Sequence, residues 1–429
     1  MIAGASNPFL PRAIAIPIGS QQSVPTTSDR HPDRELELPP TKCRRIGGTI
    51  GVAEHGIPKM NDELAAKLAW TEPDPDEPAL EAAVAELAAI DGDEADRDEW
   101  PARLWAIADR IGAPRWTLPV VLGGRNDPRP VLVQRHARLA AGSLTAAFIL
   151  SQHEAGLRRL MAAIDRPIAA HWLQTVAQDQ AVATVGISHL TTSKRLGSQA
   201  IRISRVGDGR YRLDGMMPWV TAAPRADVVV TGGSLDDGRQ ALIALPTRAP
   251  GITVHPPFPL AALQASCTSE IALEGVEVTE AEILAGPGLD VLAHPGAVGT
   301  GGLETSALAL GQARAALSAL VELSPTRDDL GEPLEALCET WRMTWASLMS
   351  QARGEPNAPQ SGAIRTQANA IVLRATQSYL TARKGTGFLL TESAQRWARQ
   401  ALFFLVWSCP TPIANAAIRD LAGLCPASS

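Results

Sequence analysis

Apolar residues follow a helical period at both ends of the chain and a strand period in its middle. From about residue 77 they recur every three or four positions, and between about 181 and 285 they alternate. After about residue 300 the helical period returns. A helix buries one face about every 3.6 residues and a strand every second residue, so this order predicts helical and β layers segregated along the chain. It disfavours a parallel sheet in which strands and helices alternate.

These changes of period predict an α+β, multi-domain fold in four segments. Residues 1–75, rich in proline and without a persistent period, are expected to be a disordered N-terminal extension. Residues 76–180 predict an N-terminal all-α domain, and residues 181–285 predict a middle β-domain of barrel or sandwich type. Residues 286–429 hold long amphipathic helices with short loops, which predict a C-terminal four-helix bundle. No basic stretch leads into an apolar core near the start, so we expect no signal peptide.

Charge and cysteine content exclude several classes of protein. The 429 residues carry 39 Lys+Arg and 45 Asp+Glu, a formal net charge of -6, which lacks the basic footprint of a nucleic-acid binder. The 5 cysteines are scattered without a C-x-x-C pair or zinc-ligand spacing, so neither a metal site nor a disulfide scaffold is expected. Unpaired cysteines suit a reducing compartment, and we expect a cytoplasmic location. No apolar run reaches about 18 residues, so no membrane span is expected.

The glycines before residue 303 offer only part of a nucleotide-binding motif. Gly299 and Gly301 fit G-x-G-x-x-G, but Glu304 stands where the last glycine belongs. No strand leads into this loop and no βαβ unit surrounds it, so we do not expect a Rossmann domain. The chain also lacks a G-x-S-x-G elbow, a P-loop and an H-E-x-x-H sequence. These searches alone leave the chemistry open.

Four short segments carry more information through their order and spacing. They are Thr192–Gln199, then Trp219–Thr221 followed by Ala226-Asp227, then Arg327–Gly331, and last Lys384–Phe388 followed by Arg396 and Arg399. Together they resemble motifs of the acyl-CoA dehydrogenase family, and the resemblance runs from about residue 77 to the end.

Each segment except the second departs from the family pattern. Of the family's T-E-P-x-x-G-S-D the chain keeps Thr192, Gly197 and Ser198, and it loses the Glu, the Pro and the Asp. Arg327–Gly331 matches R-x-x-F-G with a leucine in place of the phenylalanine. Lys384 replaces the first glycine of G-G-x-G-Y.

The resemblance implies FAD bound between the β-domain and the C-terminal bundle. Trp219 would supply a flat apolar wall for the isoalloxazine ring, since aromatic faces pack against one another. The hydroxyl of Thr221, or a nearby N–H, would bond the N5 edge of the flavin. Thr191 and Thr192 would lie at the polar edge of the ring.

The resemblance also assigns residues to the pyrophosphate and to the substrate. Arg327 would reach the pyrophosphate held by a neighbouring subunit, a charge-assisted contact, so a homodimer or homotetramer is implied. Gly385 and Gly387 would let the backbone approach that phosphate closely. Lys384 would either add a cation there or block the approach. Gly197 and Ser198 are assigned to substrate binding.

Each of these residues has an ordinary structural alternative. A tryptophan in a strand commonly packs in a core. Arg327 near a helix end would complement the helix dipole as a solvated charge. Gly385 and Gly387 could simply end a helix.

The catalytic base is where the resemblance fails. Family members remove an α-proton with a glutamate, and the commonest position for it corresponds to Ser408 here. A second family position corresponds to Gly301, and the nearest carboxylate is Glu304, one helical turn further on. Glu304 is therefore the candidate base, or else a charge that the N-terminus of a helix favours.

Three functions remain open from the sequence. The first is an FAD-dependent oxidoreductase that oxidises a CH–CH bond of an acyl-CoA or related thioester, with Glu304 as base and a flavoprotein or oxygen as electron acceptor. The second is a flavin-dependent monooxygenase of the same fold, in which His153 and Ser408, with His189 as a further candidate, would handle oxygen chemistry. The third is a non-catalytic family member that acts as a binding or scaffold protein.

Overall fold

A computed structural model describes residues 57–179, 181–190, 201–292 and 302–424. Four predicted site residues lie outside these ranges, and their roles stay predictions: Thr191, Thr192, Gly197 and Ser198. The predicted disorder of residues 1–56 also falls outside them.

Six α-helices lie within the described residues 57–179. Four of them, α1, α2, α4 and α6, have a proline in the first turn, where the missing N–H costs no intrahelical hydrogen bond. Ser143 caps the longest, because its hydroxyl accepts a hydrogen bond from the N–H of Ala146. The helices are α1 Ile57–Lys67, α2 Glu77–Glu94, α3 Ala102–Arg110, α4 Arg129–Gly142, α5 Leu144–Ala162 and α6 Pro167–Asp179.

The prediction of disorder up to residue 75 is wrong for residues 57–75. Helix α1 lies there, and Leu64 and Leu68 are buried in the main helical core. Trp70 packs edge-on against Trp345, with 5.1 Å between ring centroids. The prediction grouped this segment with the proline-rich residues before it. Helix α1 is short and amphipathic, and such a helix depends on tertiary packing for its stability.

Eight strands of the described residues 181–190 and 201–292 form one sheet. Its order is β6-β7-β3-β2-β4-β5-β8, and β1 pairs in parallel with β4. Gly209, with a φ of 67°, turns the predicted hairpin between β2 and β3. The strands are β1 Ala183–Gly186, β2 Arg202–Gly207, β3 Arg210–Val220, β4 Val228–Leu235, β5 Gln240–Pro246, β6 Ile252–Val254, β7 Ser269–Thr279 and β8 Ile283–Gly288.

The sheet buries both of its faces. Val229 of β4 shares one apolar core with Leu213 of β3 and Ile271 of β7, so the sheet folds over on itself. Val228 and Val230 point the other way, into a core shared with α5 and α6. Alternate residues of one strand therefore serve two cores, as the pleat requires.

Five α-helices lie within residues 302–424, the part described after the sheet. Helix α7 packs closely on α4, because Gly311 lies so near Ala137 that a β-carbon there would collide with the Ala137 carbonyl. The buried indole of Trp341 donates a hydrogen bond to the Leu310 carbonyl at 2.8 Å and joins α8 to α7. The helices are α7 Leu303–Leu323, α8 Gly331–Arg353, α9 Ser361–Arg383, α10 Ser393–Leu402 and α11 Thr411–Leu421.

Candidate active site

Trp219 presents its ring at the end of β3. Its residue surface is 49% exposed, which is unusual for an indole within a strand. Phe258 lies beside it with 4.8 Å between ring centroids. The two rings form an open apolar wall, and the core alternative for Trp219 does not hold.

Thr221, two residues further on, is buried and already bonded. Its hydroxyl lies 3.2 Å from the hydroxyl of Thr268, and its carbonyl accepts a 2.8 Å hydrogen bond from the hydroxyl of Thr184. The chain then turns at Ala222, whose φ is 58°. The predicted bond from the Thr221 hydroxyl to a flavin would compete with Thr268.

Helix α5 connects this part of the sheet to the N-terminus of α7. A β-carbon at Gly156 would lie 3.1 Å from the carbonyl oxygen of Thr184, so the helix packs closely on β1. Two residues along α5, Arg158 donates a 2.6 Å hydrogen bond from Nη1 to Oε1 of Glu304. Glu304 is therefore bonded to the helix that packs on Thr184, and Thr184 in turn donates a hydrogen bond to Thr221.

Glu304 is ionised at neutral pH. Burial by itself raises the pKa of this carboxyl, but the charge of Arg158 and the N–H of Glu304 itself outweigh burial, and the pKa lies below its ordinary value. The side chain is 16% exposed and lies in the first turn of α7. Both sequence interpretations stay open for this carboxylate, because it is ionised, as a general base must be, and the helix dipole favours its charge.

A second buried ion pair lies behind Glu304. Nε2 of His136 in α4 lies 3.1 Å from Oε2 of Glu154, one turn before Arg158 on α5, and both side chains are 1% exposed. Nδ1 of His136 donates to the Leu132 carbonyl at 2.7 Å. Burial would lower the pKa of His136, but Glu154 raises it above its ordinary value. The charge of His136 in turn helps to lower the pKa of Glu304.

Both ring nitrogens of His153 form hydrogen bonds with backbone groups. Its Nδ1 accepts a 3.1 Å hydrogen bond from the N–H of Ala183, and its Nε2 donates to the carbonyl of Pro114 at 3.1 Å. Burial lowers the pKa of His153, so the ring is neutral. Because neither nitrogen is left for a substrate, the geometry favours a structural role and corrects the catalytic assignment of His153.

Ser408 lies in an aromatic turn after α10. Trp407 stacks on Phe403 at 5.3 Å between centroids, and Phe148 of α5 meets both rings edge-on at 4.9 Å. Ser408 itself has a φ of 43°, in the left-handed region. The serine is half-buried, and no described contact joins it to Glu304.

Arg327 is bonded within its own chain. Its Nε and Nη2 each donate to the Asp329 carboxylate at 2.7 Å, and Nη1 donates to the Ala382 carbonyl at 2.9 Å. A phosphate would have to replace Asp329 at this guanidinium. The arginine is therefore more than a solvated charge at a helix end, because it ties the loop to the end of α9.

The glycine segment after α9 divides into open and packed positions. A β-carbon at Gly385 would meet nothing within 4 Å, whereas at Gly387 it would lie 2.5 Å from Cβ of Arg383. Lys384 has a φ of 54°, a conformation that suits the glycine it replaces. Only Gly385 offers the open backbone that close approach to a phosphate requires.

Comparison with known proteins gives sequence relatives for part of the chain. No family model matches. A probable acyl-CoA dehydrogenase of Bacillus subtilis is 30% identical over 169 residues, which cover 38% of this chain and 44% of that protein. Benzylmalonyl-CoA dehydrogenase of Aromatoleum aromaticum is 28% identical over 201 residues, or 46% and 53%. Over these parts the chain is similar to proteins named as acyl-CoA dehydrogenases. It spans about half the length of the curated relatives it matches.

Solved structures extend the likeness of fold over most of the chain. A Mycobacterium smegmatis glutaryl-CoA dehydrogenase in complex with FADH2 superposes with a TM-score of 0.68 at 20% identity, covering 86% of this chain and 97% of that one. Dibenzothiophene monooxygenase from Paenibacillus sp. A11-2 gives 0.61 at 16% identity, with 82% and 99% covered. The predicted fold class, α+β with helical, β and helical parts, is confirmed.

Relative to the acyl-CoA dehydrogenase motifs, sequence reasoning missed His136, Glu154 and Arg158. The only signal was the spacing of Glu154 and Arg158, four apart on a predicted helix, which puts both on one face. Among the described residues no cluster of three or more His, Cys, Asp or Glu could hold a metal. None of the described helices combines the length and apolarity needed to cross a membrane.

Proposed function

We propose that this protein is an FAD-dependent oxidoreductase that oxidises a CH–CH bond of an acyl thioester. The observation that carries the proposal is the ionised carboxylate of Glu304, which Arg158 holds from α5, the helix that packs on β1. The sequence relatives named as acyl-CoA dehydrogenases support the same chemistry.

The residues present fit a flavin ring well and its pyrophosphate less well. The exposed wall of Trp219 and Phe258 suits a flat aromatic group, and Gly385 leaves backbone open to approach. Arg327 suits a phosphate only if the phosphate replaces Asp329. A bound FAD would supply the acceptor for the hydride that leaves the substrate β-carbon.

Glu304 would accept the proton from the α-carbon of the substrate. A general base must be ionised and held in a fixed direction, and the Arg158 contact provides both conditions. The lowered pKa weakens the base relative to a carboxylate in an apolar pocket, so the acidity of the thioester α-proton must supply more of the driving force.

The remaining parts of the proposal concern partners. We expect an acyl-CoA or a related thioester as substrate and a flavoprotein or oxygen as electron acceptor. Arg327 and Gly385 would serve a homodimer or homotetramer. Cys267 and Cys338, both unpaired and buried, suit the cytoplasm.

The monooxygenase alternative loses support because both ring nitrogens of His153 bond backbone groups.

The test is the rate at which an acyl-CoA reduces the bound flavin without oxygen. We expect Glu304→Gln to slow this rate by a factor of roughly 10²–10⁴, the usual contribution of a general base. Glu322→Gln, near the other end of α7, is the control and should leave the rate unchanged. Equal rates in the Glu304→Gln variant and the unmodified protein would remove Glu304 from the mechanism.

A further inference from the structure

Arg365 is a buried cation without an acidic partner among the described residues. The residue is 4% exposed, Nε donates to Oδ1 of Asn369 at 2.8 Å, and Nη2 donates to the Trp407 carbonyl at 3.0 Å. Burial lowers the pKa of Arg365 to about 10, and no described carboxylate lies within ion-pair distance to offset it. A buried charge is costly unless an opposite charge compensates it.

Two other buried arginines of this protein are each paired with a carboxylate. Arg135, 1% exposed, contacts Asp74 at 2.6 Å, and Arg396, 5% exposed, contacts Asp91 at 2.9 Å. Arg365 differs from these two, because the hydrogen bonds described for it go to neutral oxygens. Cys409, whose charge would act on Arg365, is a thiol whose pKa burial raises. The anion that would complete its environment has to come from elsewhere.

The surroundings of Arg365 favour an anion. The residue lies about one turn from the N-terminus of α9, where the helix dipole is positive and stabilises negative charge. Asn369 holds the turn after α10 in place, because its Nδ2 donates to the Phe404 carbonyl at 2.9 Å. The guanidinium lies 5.9 Å from the ring centroid of Trp407, and Ser408 follows that tryptophan on a half-buried turn.

We propose that Arg365 forms a carboxylate-binding subsite beside Ser408, and that the substrate is a thioester whose acyl group carries a free carboxylate. At position 408, where the family's commonest base is a glutamate, this chain has a serine. The side chain at position 408 therefore places no negative charge beside Arg365, and a carboxylate on the substrate would supply that charge. This inference rests on the proposed function for the thioester and adds the class of acyl group.

Two probes with acyl-like chains of equal length test the subsite. They are the thioethers S-(3-carboxypropyl)-CoA and S-butyl-CoA, which differ in one terminal carboxylate and, lacking a thioester, are not oxidised. We expect the flavin-bound protein to bind the carboxylate probe about tenfold to a hundredfold more tightly by calorimetry, the usual effect of a charge-assisted bond.

Variants at position 408 supply a matched control. Ser408→Glu places a carboxylate beside Arg365 and should abolish the preference, whereas Ser408→Gln has the same size and backbone strain without the charge and should retain it. The proposal is overturned if the unmodified protein shows no preference, or if both variants change it equally. If neither probe binds, this inference and the proposed function both fail. If the preference holds but acyl-CoA thioesters never reduce the flavin, the proposed oxidation alone fails.

Discussion

His136 and His153 show that neighbours, as well as burial, decide the charge of a side chain. Both rings are fully buried, yet the pKa of His136 is raised by the nearby charge of Glu154 and the pKa of His153 is lowered by burial. His153 bonds two backbone groups, and His136 contacts a carboxylate. A sequence shows two histidines on predicted helices and cannot show which neighbour each will meet.

Replacing His153 with leucine tests whether its role is structural. The change leaves the Ala183 N–H and the Pro114 carbonyl without partners and should cost about 1–3 kcal/mol of unfolding free energy, measured with urea near neutral pH. Because its folded pKa is lowered, the stability that His153 contributes is present above about pH 6.5 and is lost as the pH falls below that value. The variant should therefore lose less stability than the unmodified protein on acidification.

The exposed His255 provides the control, and His255→Gln should change neither stability nor its pH dependence. A His153→Leu protein that kept full stability but lost flavin reduction would restore the catalytic assignment of His153.

Arg158 is expected to set the pH range in which Glu304 is a base. The charge of Arg158 lowers the pKa of Glu304, so the carboxylate is already ionised below its ordinary range. Arg158→Met should raise that pKa and move the acidic limb of the flavin-reduction rate to higher pH. The exposed Arg166, replaced in the same way, should leave the limb in place. If the acidic limb of the rate does not move in Arg158→Met, then the ionisation of Glu304 does not control flavin reduction.

At the scale of elements, the hydrophobic period predicted most helices and strands but missed interruptions of that period. The apolar residues of Ile271–Leu273 and Val276–Val278 do not follow one continuous alternation, whereas the structure has one strand there, β7. Gly275 explains the difference, because its φ of 66° breaks the alternation and its N–H bonds the Asp214 carboxylate at 2.8 Å. Conversely, the helical period after about residue 300 is regular, and helices follow there in the structure as the sequence predicts.

Gly311 sets the distance between α4 and α7. A β-carbon there would collide with the Ala137 carbonyl, and backbone cannot yield as a side chain can. We expect Gly311→Ala to lower the unfolding free energy by about 1–3 kcal/mol or more, measured with urea. Gly331→Ala, where a β-carbon meets nothing within 4 Å, is the matched control and should not destabilise the protein. Equal stability of the two variants would contradict this account of the helix contact.

At the scale of the whole molecule, long-range contacts assemble the candidate site. Glu304 and Arg158 are separated by 146 residues in sequence. Arg399 bonds Asp96 of the N-terminal part and the Ala261 carbonyl between β6 and β7, so one side chain of α10 joins all three parts. Motif order predicted Trp219, Glu304 and the family. It could not predict the ion pairs, because no local pattern specifies which distant charges will meet.

Anaerobic titration of the purified, flavin-bound protein with acyl-CoA thioesters tests directly whether the protein oxidises a thioester. We expect the protein to bind flavin. We also expect at least one thioester, added without any other reductant, to bleach the visible absorbance of the oxidised flavin. A flavin that stays oxidised with every thioester, and is bleached only by a separate reductase before oxygen is consumed, would contradict the account and favour the monooxygenase alternative.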